Sequence, residues 1–271
     1  MFTNQSLNYL IGIICFFSGL SLDVKSILNI LKVQESLLLF KVILVSLISY
    51  LYIQLFGVSG VFGVSALSLV AVQNASHPSM FLALTDDFSM NEEQGAFGLV
   101  SIQCLPTVPL FLFSLSQTTA VDWSPIVSTL IPVILGIILG NLDQSIKEFF
   151  APVTGYIMPL LGWQLGFGIN LPDTFRSIPQ GMLLVIVYYL IITLPMLFFE
   201  RGILKNNGLN TISFNTVSGI SISVPLMIAS SNPELAHLVP PAAAAVTLAV
   251  IVTTILSPIF AQKLHQKVAT E

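Results

Sequence analysis

Residues 42–85 read VILVSLISYLYIQLFGVSGVFGVSALSLVAVQNASHPSMFLALT, a run of 44 positions without one Asp, Glu, Lys or Arg. A membrane helix needs roughly 20 apolar residues, so this run crosses a bilayer twice and turns at Gly57-Val58-Ser59-Gly60. Comparable runs stand on either side of it: 22 residues from Met1 to Leu22, 28 from Gln94 to Val121 and 23 from Ser177 to Phe199. Of 271 residues, 55% are hydrophobic and only 8% are charged, 9 Lys plus Arg against 13 Asp plus Glu. A soluble domain carries about 25% charge. An apolar segment in lipid must satisfy its own backbone, so the chain reads as an all-α polytopic membrane protein. Its first partner is the lipid bilayer. A soluble enzyme, a nucleic-acid binder and a secreted disulfide scaffold are excluded. Cys15 and Cys104 both lie inside apolar runs and read as buried thiols, with no metal site or cofactor implied.

Cutting at charges, Gly/Pro turns and amide clusters gives nine spans, near 6–22, 36–56, 61–84, 94–116, 125–142, 151–171, 178–199, 210–231 and 239–262. Alternate loops then divide the basic residues. Lys25, Lys32, Lys147, Arg201, Lys205, Lys263 and Lys267 fall on one side and Arg176 on the other. The positive-inside bias puts the first side, and the C-terminus, in the cytoplasm of a bacterial inner membrane, with residue 1 outside. Lys41 sits six residues after Glu35, shallow enough to snorkel, and receives no function.

An internal repeat organises these spans. Gly19-Leu20-Ser21-Leu22-Asp23-Val24 is similar to Gly166-Phe167-Gly168-Ile169-Asn170-Leu171, 147 positions on. The same shift pairs Pro78 with Pro225 and carries the span at 94–116 onto the one at 241–262. The first repeat is 1–116, with four helices, and the second is 125–262, with five. A five-helix unit duplicated must insert in opposite senses, which is the inverted-repeat plan of secondary transporters with a midplane site. Ten helices are expected from that plan and nine are counted.

Polar groups inside two spans point to the same place. One holds Gln73-Asn74-Ala75-Ser76-His77-Pro78-Ser79, the other Asn215-Thr216-Val217-Ser218-Gly219-Ile220-Ser221-Ile222-Ser223-Val224-Pro225. Pro78 and Pro225 read as helix breakers, and freed carbonyls and half-helix ends can bind cations or a carboxylate. The competing reading is Ser and Thr bonding back to their own helices. Cavity-lining candidates are Asn74, Ser76, His77, Gln103, Thr107, Asn215, Thr216, Ser221 and Ser223. His77 is the candidate proton carrier, against a neutral imidazole bonded between helices. For Gln103 the competing reading is a helix-to-helix hydrogen bond. Asp23 and Asn170 read as caps. No catalytic pair of nucleophile and base is placed in the core, so the chain is not read as an enzyme.

Several segments carry a likeness. Gly140-Asn141-Leu142-Asp143, Phe149-Phe150-Ala151-Pro152, Pro159-Leu160-Leu161-Gly162 and Gly168-Ile169-Asn170-Leu171 resemble the bacterial 2-keto-3-deoxygluconate permease family. So do Ala83-Leu84, Gly95-Ala96-Phe97, Pro240 to Ala245, and Val250 to Pro258. The resemblance implies a cation-coupled importer of a sugar acid, taking up a small organic anion with a proton or sodium ion. It also implies a fold similar to the bile acid/sodium symporter superfamily: two inverted five-helix repeats, a panel and a core domain, and crossing broken helices around Asn74 to Ser79 and Ser218 to Pro225. The family starts with one more helix, so the chain reads as lacking the first. It has Asn74 where the family tends to carry an acid, His77 where an Asn is usual, and Gln103 at a place often acidic or amide-bearing. The alternatives kept beside a carrier are a passive facilitator or channel and a truncated, inactive remnant.

Overall fold

The computed structural model describes residues 4–22, 32–88, 97–116, 124–150 and 171–270, with 153, 156, 157, 160 and 163. Asp23, Glu92, Glu93, Asn170 and nearly all of the span expected at 151–171 lie outside the described residues. The rest is helical, as backbone in lipid requires. The helices are α1 (Asn4–Ser21), α2 (Lys32–Phe56), α3 (Ala66–Gln73), α4 (Pro78–Asp87), α5 (Phe97–Cys104), α6 (Thr107–Ser116) and α7 (Ser124–Leu142). They continue as α8 (Gln144–Phe150), α9 (Leu171–Arg176), α10 (Ile178–Ile203), α11 (Leu209–Phe214), α12 (Val224–Ser231) and α13 (Val239–Thr270). Three stretches are long and apolar enough to cross a bilayer: Gln34–Phe56, Ile178–Ile203 and Pro233–Lys267.

The turn that separates the two crossings of residues 42–85 forms where the glycines stand. α2 ends at Phe56, and Gly57 and Gly60 take φ of +68° and +71°, a region open to glycine at no steric cost. The Tyr52 hydroxyl donates to Val64 O and accepts from Val61 N, which ties the returning chain to α2. α13 runs further than the expected 239–262. Its 32 residues span about 48 Å at 1.5 Å each, more than a hydrocarbon core of roughly 30 Å. Lys263 and Lys267 are exposed on its last turns.

α1 and α7 form a tightly packed pair. A Cβ on Gly19, Gly136 or Gly140 would fall on the carbonyl oxygen of Val133, Phe16 or Leu20, so the helices touch backbone to backbone through small residues. The opposite face of α7, with Ile131, Ile134, Leu135 and Ile138, is exposed, as a lipid-facing surface is. The remaining mass centres on α3, buried along its whole length, with α2, α10, α12 and α13 around it. Phe40 and Phe199 stack at 4.3 Å to join α2 to α10.

α10 widens twice into π turns, at Tyr188–Thr193 and Phe199–Ile203. The first has a local cause: Pro195 has no N–H and crowds the preceding carbonyls, and Leu194 N–H reaches back five residues to Tyr189 O instead.

Among the described residues, α5 and α6 part at Leu105-Pro106, and two further helices are interrupted at polar stretches. α3 stops at Gln73, with Ala75 N–H tightening onto Val72 O at 3.1 Å, and α4 starts at Pro78. Pro78 stands at the first helical position, where a missing N–H costs nothing, and it drives His77 to an extended φ of −118° and ψ of 97°. The second interruption follows α11 at Asn215–Ser218, after which a 3₁₀ turn, Gly219–Ser223, leads into α12. Here the expected breaker differs from the observed one. Val224, before Pro225, is helical at φ −58° and ψ −47°, so Pro225 sits in the first turn of α12. The break lies upstream, in a proline-free run of amide and hydroxyl residues.

Candidate functional site

The four-residue first break is held from three directions. Asn74 is 1% exposed and Gln103 5%, and their amides pair reciprocally. Gln103 Nε2 donates to Asn74 Oδ1 at 2.8 Å and to Asn74 O at 3.4 Å, and Asn74 Nδ2 donates to Gln103 O at 3.4 Å. This is a helix-to-helix bond between α5 and the end of α3. His77 is half-buried and caps α4, its Nδ1 accepting from Met80 N–H at 3.3 Å. With Nδ1 accepting, a neutral ring carries its proton on Nε2.

The third support was not expected. Lys41 does not snorkel; it is 0% exposed. Its Nζ donates to Ala75 O at 2.6 Å and to Ser76 Oγ at 2.9 Å. Distance along a helix from Glu35 gives depth, but the face decides burial, and the Lys41 face of α2 packs on the break. Ser76 is likewise fully buried.

Neutral groups serve the second break. Ser257 Oγ donates to Asn215 O at 3.4 Å, and Val217 N–H donates to Thr253 Oγ1 at 3.0 Å, both partners coming from α13. Ser218 caps the 3₁₀ turn by accepting from Ile220 N–H at 3.4 Å, and accepts from the Cys104 thiol at 3.2 Å. Asn215 Nδ2 reaches Met196 Sδ at 3.3 Å.

Tyr188 joins the two. Its hydroxyl lies 3.3 Å from Ala75 O in the first break and 3.4 Å from Asn215 Oδ1 in the second. The π turn of α10 sets that side chain between them, and stacked Phe81 and Phe214, 5.1 Å apart, hold the adjoining half-helices α4 and α11. Tyr188 stands 147 positions after Lys41, the shift expected from the sequence between its two halves. Applying that shift to Lys41 was the signal that would have found both residues.

Of the other expected residues, Thr107 lies at the edge of this cluster, donating to Thr129 Oγ1 of α7 at 2.9 Å. Ser221 is buried, and Ser223 Oγ turns back to Ile220 O at 2.6 Å. The Thr216 hydroxyl is buried with no hydrogen-bond partner among the described residues, as are both amide atoms of Gln73 and the Ser213 hydroxyl. Unpaired polar groups are rare in sealed interiors, and these flank the breaks. Glu200, outside the expected span at 178–199, is buried. It accepts from Thr211 N–H at 2.8 Å and from Gly208 N–H and Asn210 Nδ2 at 3.2 Å, a carboxylate seated at the start of α11.

Recesses lie around this centre among the described residues. One of about 540 Å³ lies between the α1–α7 pair and α12, lined by Tyr9, Phe16, Thr129, Pro132 and Met227. A second, about 430 Å³, is framed by Ser65, Arg176, Ser177, Gln180 and Pro240, from the starts of α3, α10 and α13. Another, about 670 Å³, is an apolar groove with outward-facing Met182, Ile186 and Leu190, a lipid-side surface.

A 2-keto-3-deoxygluconate permease of Xanthomonas euvesicatoria pv. vesicatoria is 30% identical over 249 residues, covering 90% of this chain and 78% of its own length. One of Bacillus subtilis is 28% identical over 255 residues, 92% of this chain and 77% of its own. One of Tolumonas auensis is 29% identical over 253 residues, 90% and 74%. Relatives so named are transporters and not enzymes, and the long apolar helices make this chain a multi-pass membrane protein. The model of the family described as 2-keto-3-deoxygluconate permease matches residues 1–270, and the chain belongs to that family.

Proposed function

We propose that this chain is a secondary active transporter. It imports a small organic anion, a sugar acid such as 2-keto-3-deoxygluconate, across the bacterial inner membrane, driven by a proton or sodium gradient. The observation that carries this reading is the Tyr188 hydroxyl bonded to both helix breaks. Two interrupted helices meet inside the bundle, where an uninterrupted packing of apolar helices would place no polar chamber. The names of the relatives supply the substrate.

In this reading the two five-helix repeats, 1–116 and 125–262, are antiparallel, residue 1 is outside and the C-terminus is cytoplasmic. The α1–α7 pair is the panel, and the break-bearing helices are the core that moves against it. The 540 Å³ recess between them is the size of a small-molecule site. Asn74, Ser76, Gln103, Thr107, Asn215, Thr216, Ser221 and Ser223 line the path. The unpaired Thr216 hydroxyl and Gln73 amide supply substrate or cation ligands when the core shifts. Arg176 and the three helix starts around the 430 Å³ recess draw an anion in from the extracytoplasmic side. His77 couples a proton to motion because protonating Nδ1 turns an acceptor into a donor and releases the first turn of α4.

The test is uptake of radiolabelled 2-keto-3-deoxygluconate by proteoliposomes of the full chain. Accumulation above the external concentration under an imposed proton or sodium gradient is expected. Equilibration without accumulation makes the protein a facilitator, and absence of any exchange removes the transport reading.

A further inference from the structure

Lys41 is a titratable amine sealed at a helix break. Its Nζ meets a backbone carbonyl and a hydroxyl, Ala75 O at 2.6 Å and Ser76 Oγ at 2.9 Å, and no carboxylate pairs with it among the described residues. Oxygens of this kind are what an unwound membrane segment offers to a monovalent metal ion. Here a tethered ammonium, compact and with three donors, occupies them.

The titratable groups around it do not supply a countercharge. Cys104 on α5 lies within electrostatic range, but it donates its thiol hydrogen to Ser218 Oγ. Tyr188 on α10 shares Ala75 O as a neutral donor. His77 is turned to Met80 N–H. Glu200, at the end of α10 that packs on α2, is turned to the start of α11, and Glu35 on α2 itself is exposed. An unpaired buried charge is costly, and giving up the proton is how such a group sheds that cost.

We propose that Lys41 is a coupling group of this carrier beside His77, filling the first break in place of an exchangeable metal cation. In the step, an Nζ–H bond breaks, the proton passes to water, and the electron pair stays on Nζ as a neutral amine. Ala75 O and Ser76 Oγ then lose their ionic donor and the half-helices α3 and α4 are free to shift. Protonation from the opposite side of the membrane restores the clamp. This rests on the carrier reading above and adds a residue that bears the coupled charge.

The experiment compares proteoliposomes of wild type, Lys41→Gln and Lys41→Arg in sodium-free choline buffer, measuring 2-keto-3-deoxygluconate counterflow and accumulation driven by a pH gradient. Gln keeps a donor with no proton to release, and Arg keeps the charge without releasing it. Wild type is expected to accumulate substrate. Lys41→Arg, whose clamp cannot be released, is expected to lose counterflow and accumulation alike, while Lys41→Gln is expected to continue counterflow with accumulation lower by about tenfold or more. Undiminished accumulation in either variant overturns the proposal. So does loss of counterflow together with accumulation in Lys41→Gln at wild-type melting temperature, since Lys41 is then a substrate ligand, and so does continued counterflow in Lys41→Arg, since motion then needs no release of the clamp. Strict sodium dependence of the wild type overturns it without any variant, should both variants fail to fold. A wild type without counterflow removes the carrier reading itself, and this proposal with it.

Discussion

The two breaks reach similar ends by different chemistry. The first interrupts its helix for four residues, Asn74 to His77, and is clamped by the Lys41 amine and the Asn74–Gln103 amide pair. The second departs from α-helix from Asn215 to Ser223, including a 3₁₀ turn, and closes on itself through Ser218 and Ser223 with hydroxyls from α13. Tyr188, a neutral hydroxyl 147 positions after Lys41, reaches both breaks from α10. One break is therefore conditional on a titratable side chain from another helix, and the other stands on neutral bonds whatever the pH. In the proposed carrier, the first break alone would then respond to protons.

The largest stability effect among neutral substitutions is expected at the second break. Thr253→Val keeps the shape but leaves Val217 N–H without its acceptor in a sealed site, a loss of about 1–3 kcal/mol. Thr253→Ser restores the oxygen and most of the stability. Melting of the detergent-solubilised protein decides it, and equal melting of all three proteins would show that water reaches the second break. The result sharpens the comparison because the loss at this site should be the same at acid and neutral pH.

Tyr188→Phe removes the group common to both breaks and is expected to cost about 0.5–1.5 kcal/mol. The informative measurement is a double-mutant cycle with Lys41→Gln. Both side chains donate to Ala75 O, so their losses should be non-additive. Additive losses would mean that the two donors do not share that carbonyl, and the breaks would then be independent.

How much of this was legible follows from what each residue's position depends on. The uncharged runs and the paired glycines declare helices and turns locally, so α2, its end at Phe56 and the turn after it could be read directly. Pro78 acts on its neighbour, which made the first break readable at His77. Pro225 misled because a proline in the first turn of a helix is as comfortable as one that ends a helix, and the upstream break uses only amides and hydroxyls. Lys41 and Tyr188 were missed for a different reason. Sequence gives the depth of a side chain along a helix, but their role depends on which face meets a break some 34 and 113 residues away along the chain. Glu200 was missed likewise, because its donors, Gly208 to Thr211, arrive only when the chain doubles back after α10.

The smallest expected effect concerns His77, where the two readings of one residue can be separated. As a cap it accepts from Met80 N–H at 3.3 Å, a long bond, so losing it in His77→Ala should cost roughly 0.5 kcal/mol, the low end for an N-cap. His77→Asn supplies a good capping oxygen without a titratable ring and should recover that stability. If the imidazole only caps α4, Asn restores uptake as well, and the pH profile of accumulation matches wild type. If the ring also carries charge into the break, Asn restores the melting temperature but flattens the pH profile at its acid end, where the protonated ring would have released the first turn. Because Lys41 lies against the adjacent Ser76, His77→Asn in a Lys41→Gln background should then have no further effect on the profile. A residual pH response that disappears only in the double variant would divide the coupling between the two groups.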